Sequence, residues 1–149
     1  MFKKVIIVIS ILFLVSTAAV VHAFSNASQP RVPSQYAIGI KYEDAIKSDK
    51  PILALFYVDW CGYCLKFMPK YKLIHTLYKD KFNIVMINAE YPQYSQLVDD
   101  VSLSGFPTLY IIDKKYDNRI MLNNAIYTDL KKLRVELDRF LRIRSLLDK

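Results

Sequence analysis

Cysteine, histidine and glycine are scarce in this chain of 149 residues, which holds two, two and three of them. A tetrahedral zinc site needs four ligands, and one of the two histidines, His22, falls in a leader-like segment. A zinc site within one chain is therefore disfavoured. A c-type haem needs His directly after the second cysteine, and Leu65 stands there instead. No repeat runs through the sequence. The chain also lacks a basic stripe: its charge of +7 is scattered and mixed with acids, most densely near the C-terminus (Lys131, Lys132, Arg134, Arg139, Arg142, Arg144). That mixture reads as a solvated helix face, not as a surface that tracks nucleic-acid phosphates.

Long apolar runs are absent except at the start. Lys3 and Lys4 precede an apolar stretch, 5–21, interrupted only by Ser10, Ser16 and Thr17. Val21-His22-Ala23 follows as a cleavage site, so residues 1–23 read as a signal peptide. A retained signal anchor is the alternative, in which 5–21 would tether the chain to a membrane. Both readings put the remainder on the outer side, because the two lysines hold the N-terminus inside. Periplasmic or secreted localisation follows. Residues 24–36, rich in Ser, Asn, Gln and Pro, read as a flexible lead-in, and 37–149 as one α/β domain.

Within that domain, Ala37 to Ile40 reads as a short edge strand and Tyr42 to Ser48 as a weak helix. Ile52 to Val58 is an unbroken apolar run, the pattern of a strand covered on both faces. A helix should open at the cysteines and reach about Lys79. Phe82 to Asn88 reads as a second buried strand, and Ser95 to Val101 as a helix capped by Ser95. Thr108 to Ile112 and Arg119 to Leu122 read as strands around a polar turn. The last helix spans about Asp129 to Leu147, with Thr128 as N-cap and an apolar stripe of Leu130, Leu133, Leu137, Phe140, Leu141 and Leu147. Strands alternating with helices predict a mixed sheet of four to five strands with helices on both faces. The eleven tyrosines read as half-buried packing with hydroxyls in water, and His75 as a partly exposed helix residue.

Trp60-Cys61-Gly62-Tyr63-Cys64 follows a buried strand and opens a helix. A thiol at a helix N-terminus meets unpaired N–H groups and the positive end of the dipole, which favour the thiolate. The thiolate is the attacking species in disulfide exchange, and the two-residue spacer lets the second sulfur close a small ring. A purely structural bridge closes almost no loop and stabilises little. Redox chemistry is the better reading. Cu(I) held between two soft thiolates stays open as an alternative.

With these residues the chain resembles the thioredoxin superfamily. Trp60 precedes the pair, Pro69 falls five residues after Cys64 where the family kinks its active-site helix, and Gly105-Phe106-Pro107-Thr108 matches the family's cis-proline loop. The segment from Glu43-Asp44-Ala45 to Lys50-Pro51-Ile52, with Asp59-Trp60-Cys61, is most similar to exported bacterial reductases, and the Gly-Tyr spacer to periplasmic disulfide isomerases. The resemblance implies a thioredoxin fold and a thiol–disulfide oxidoreductase, a reductase ahead of an isomerase or oxidase. It calls for no cofactor and no metal. Cys61 would be the exposed nucleophile and Cys64 the buried resolving thiol. Pro107 would be cis, with Gly62 beside the nucleophile, Trp60, Tyr63 and Phe106 forming an apolar rim, and the backbone at Phe106 pairing with an extended substrate. Partners would be disulfide-containing proteins and a membrane thiol–disulfide relay that resets the pair. In one respect the chain departs from the family: Leu55 and Met86 stand where a buried Asp and a Lys assist the resolving thiol. Asp59 or Glu90 could substitute if the fold brings one near.

Overall fold

The apolar run Ile52–Tyr57 forms the strand β1, with all six residues buried. The computed structural model describes residues 30–149 and gives the reason for that burial. β1 lies inside a four-stranded sheet of order β2-β1-β3-β4, parallel to β2 (Asn83–Asn88) and antiparallel to β3 (Thr108–Asp113). β3 in turn pairs antiparallel with the edge strand β4 (Asn118–Leu122). Alternate residues of β1 face opposite sides of the sheet, so a strand covered twice must be apolar throughout. Leu53, Leu55 and Tyr57 enter one core with Cys64, Phe67, Leu133 and Leu137. Ile52, Ala54 and Phe56 enter the other with Ala45, Val101 and Tyr110.

Among the described residues five α-helices flank the sheet: α1 (Tyr42–Ala45), α2 (Gly62–Tyr78), α3 (Ser95–Val101), α4 (Asn124–Tyr127) and α5 (Leu130–Leu147). α2 buries Phe67, Met68, Tyr71, Ile74 and Tyr78 and leaves His75 partly exposed. α5 buries Leu133 and Leu137 but not Leu147, which is 61% exposed at the end of the helix.

Several expectations need correction. The segment Ala37 to Ile40 is not a fifth strand, because Ile40 alone bridges to Val85. Gly39 beside it has φ +84°, and a Cβ there would collide with the Ile84 carbonyl, so the chain turns where a strand would have to run straight. The end of the expected lead-in is folded: Pro33–Tyr36 is a 3-10 helix with Pro33 buried. The leader, 1–23, and the lead-in up to residue 29 lie outside the described residues. Ser95 is the first residue of α3 and not its cap, since a 3-10 turn at Pro92–Tyr94 places Tyr94 there. Thr128 donates to the Asn124 carbonyl at 2.6 Å and closes α4. Asp129 caps α5 in its place, accepting from Lys131 N at 2.9 Å and Lys132 N at 3.2 Å.

The hydroxyls of key tyrosines are not wet. Tyr71, fully buried, places its hydroxyl oxygen 2.8 Å from the carbonyl oxygens of both Leu53 and Val85, and its one proton bonds to either of them, tying α2 to β1 and β2. Burial raises its hydroxyl pKa well above the ordinary tyrosine value, so it remains a donor. Tyr110 similarly donates to the Val101 carbonyl at 2.7 Å.

Candidate active site

β1 delivers the chain into a tight turn in which Cys61 N donates to the Val58 carbonyl at 3.2 Å. Cys61 is the N-cap of α2, with extended backbone angles, and its sulfur accepts the backbone N–H of Cys64 at 3.0 Å. A sulfur thus occupies the place that a capping oxygen usually holds. The two cysteines are joined as a disulfide, their Cα atoms 5.2 Å apart. Once the bond is reduced, the same N–H and the end of the helix dipole stabilise negative charge on Cys61.

The environments of the two sulfurs differ, though less in exposure than expected. Cys61 is only 7% exposed and Cys64 fully buried. The cover over Cys61 is the loop before β3, where the Phe106 carbonyl oxygen lies 3.6 Å from Cys61 Sγ. The Phe106–Pro107 peptide is cis, the form the resemblance implies. Cys64 sits in the core that contains Leu55, Phe67 and Met68, an apolar setting that disfavours its thiolate.

The aromatic rim is present. Trp60 and Tyr63 are 73% and 78% exposed, and the Trp60 ring meets Phe106 edge-on with centroids 6.4 Å apart. With Leu103 and Gly62 they border a shallow cleft of about 470 Å³ over Cys61. Trp60 Nε1 donates to Glu90 Oε1 at 2.8 Å, which fixes the indole's orientation.

Both carboxylates suggested as substitute bases already accept hydrogen bonds from other side chains or backbone. Glu90 holds the indole, and Asp59 accepts from Ser34 N at 2.9 Å and Ser34 Oγ at 2.8 Å. Leu55 is fully buried, and Met86 Sδ accepts the Ile38 N–H at 3.4 Å, so both departures leave the interior beside Cys64 apolar.

Tyr127 is a site residue that the sequence reading missed. Its hydroxyl donates to the Pro107 carbonyl at 2.6 Å while its ring packs edge-on against Phe67, centroids 5.5 Å apart. The tyrosine joins α2 to the cis-proline loop. Its only sequence signal is Asn123, which caps the short helix α4 by accepting from Ala125 N at 2.8 Å. Tyr127→Phe should cost about 1 kcal/mol in thermal or urea unfolding. It should also lower kcat/KM on a protein disulfide by about two- to fivefold through a looser loop. Alkylation of Cys61 by a small reagent should keep its wild-type rate.

The Thioredoxin family model matches residues 35–133. The chain belongs to the thioredoxin family. Similar curated proteins include the Thioredoxin-like protein HCF164, chloroplastic, of Arabidopsis thaliana, 34% identical over 79 residues, covering 53% of this chain and 30% of that protein. A probable protein disulfide-isomerase A6 of Medicago sativa is 32% identical over 72 residues, 48% of this chain and 20% of that protein. This thioredoxin-family chain therefore spans less than a third of the length of these relatives. Among solved structures, the first thioredoxin domain of mouse protein disulfide-isomerase A4 has a TM-score of 0.56 at 22% identity, covering 67% of this chain and 69% of that one. Deadhead, a germline-specific thioredoxin of Drosophila melanogaster, has a TM-score of 0.53 at 20% identity, covering 75% and 97%. These two likenesses concern the fold.

Proposed function

We propose that this chain is a protein thiol–disulfide oxidoreductase that reduces disulfides of proteins outside the cytoplasm, with Cys61 as nucleophile and Cys64 as resolving thiol. The observation that carries this reading is the Cys61 sulfur capping α2, under the Cys64 N–H and against the Phe106 carbonyl of the cis-proline loop.

The Cys61 thiolate attacks one sulfur of a substrate disulfide, and the other substrate sulfur departs as a thiolate. Cys64 then loses its proton and attacks Cys61 in the mixed disulfide, releasing the second substrate thiolate. The substrate gains two electrons and the chain ends as the Cys61–Cys64 disulfide. That Phe106 borders the cleft supports pairing of its backbone with an extended substrate segment. An outside dithiol must restore the reduced pair, and a membrane thiol–disulfide relay fits that task. Export rests on Lys3, Lys4 and the apolar stretch 5–21, which would serve as a leader or a tether.

The test is insulin reduction by the chain with a small dithiol present to reset the pair, together with the reduction potential of the pair. A reductase should turn insulin over and show a potential near roughly −270 mV. A value of roughly −120 to −180 mV would make it an oxidant or isomerase. Stoichiometric Cu(I) uptake with no turnover would replace the redox reading altogether.

A further inference from the structure

Beyond the cleft over Cys61, a second groove of about 370 Å³ opens on the other side of Tyr63 and Phe106, which border both. Phe67 and Tyr127, both 6% exposed, are among its apolar walls, and Pro107 borders it. Two ammonium groups edge it, those of Lys66 and Lys70, and no carboxylate lines it. Lys66 Nζ stands 5.9 Å from the centre of the Tyr63 ring, which holds the charge at the rim beside the active site. Lys70 Nζ donates to the Thr128 carbonyl and lies 5.9 Å from the Phe67 ring. Asp129 is near enough to feel the Lys70 charge, but its carboxylate is held by the N–H groups of Lys131 and Lys132 at the start of α5. The groove is thus apolar on its walls and positive along its edge.

We propose that this groove is a specificity subsite for an acidic side chain of the protein substrate, carried on the extended segment that holds the attacked cysteine. The assignment rests on the redox reading above and adds to it a preference between substrates. Lys66 lies five positions beyond Cys61 in α2, about 7.5 Å along the helix axis. An extended segment advances about 3.3 Å per residue. A segment leaving Cys61 past Phe106 therefore reaches Lys66 after two to three residues. A glutamate there places its methylenes against the apolar wall and its carboxylate at the Lys66 ammonium, whereas a lysine brings like charges together.

The experiment uses synthetic peptides with one cysteine, each joined by a disulfide to 2-thiopyridine, carrying Glu, Gln or Lys two or three positions to either side of that cysteine. Release of thiopyridone by the reduced full chain, held in excess, gives the second-order rate constant for each peptide. Wild type should favour Glu over Lys by about fivefold at low salt, and added salt should compress the ratio. Lys66→Gln should bring the ratio toward unity, and Lys66→Glu should invert it. The same Glu-to-Lys ratio in wild type and Lys66→Glu, with fast release in both, would overturn the subsite alone. Release from every peptide at the rate given by Cys61→Ser would overturn the redox reading, and the subsite with it.

Discussion

Cys64→Ser should accumulate covalent adducts with its substrates, and Cys61→Ser should accumulate almost none. The expectation follows from the positions of the two sulfurs. Cys61 caps α2 and takes the Cys64 N–H at 3.0 Å, and that N–H belongs to the backbone, so the serine substitution at 64 leaves it in place. The remaining Cys61 thiolate still attacks a substrate disulfide, but no second sulfur exists to release the mixed disulfide. In Cys61→Ser the surviving thiol is fully buried among apolar side chains, poorly ionised and out of reach. Non-reducing electrophoresis of both variants from an exporting host, followed by identification of the trapped proteins, reads the difference. Turnover should fall below detection in each. Adducts on Cys61→Ser but not on Cys64→Ser would reverse the assignment, and the trapped proteins reveal whether the substrates are exported ones.

Leu55→Asp should be the most destabilising of the active-site changes and should also speed resolution. Leu55 is fully buried in the middle of β1, paired with Met86 and Leu109 and packed in the core that contains Cys64. Replacing it removes an apolar side chain and buries a carboxyl group, at a cost of about 3–5 kcal/mol. Desolvation raises the folded-state pKa of such an acid above its unfolded value, so the folded chain binds the extra proton. Stability should therefore fall as pH rises, by up to roughly 1.4 kcal/mol per unit between an unfolded pKa of about 3.9 and the raised folded value. Urea unfolding at pH 5 and pH 8 tests the sign, since greater stability at pH 8 would contradict it. In the folded fraction the new acid, once ionised, can accept the Cys64 proton, whereas Asp59 and Glu90 already accept hydrogen bonds from Ser34 and Trp60. Release of substrate from the mixed disulfide should then accelerate near neutral pH. An unchanged rate would mean that water or the leaving thiolate already takes that proton.

The parts legible in the sequence are those written into contiguous residues. A strand covered on both faces has to be apolar throughout, so Ile52–Tyr57 announces its central place. A cysteine pair at a strand-to-helix junction announces the site. What escaped depends on where the chain turns in space. Thr128 and Asp129 are both good capping residues, and only the short helix before them assigns one to each helix. The Ser34–Asp59 bonds join residues 25 positions apart through side chains that carry no periodic signal. Tyr127 is one tyrosine among eleven, and its contact with Pro107 depends on a four-residue helix that hydrophobic periodicity is too coarse to detect. The resemblance implies an exposed Cys61, whereas its cover comes from Phe106, forty-five positions away.

The rim tryptophan has an optical consequence. Trp60 is the only tryptophan in the chain, and it already stands largely in solvent while the protein is folded. Its ultraviolet emission therefore reports on the edge of the active site, through its contacts with Phe106 and Glu90, and scarcely on the interior. A polypeptide laid against Phe106 and Trp60 changes them directly. Tyrosine absorbance behaves in the opposite way, because Tyr71, Tyr78, Tyr110 and Tyr127 are all buried. The same chain thus offers two separable signals, one for occupancy of the redox cleft and one for integrity of the core.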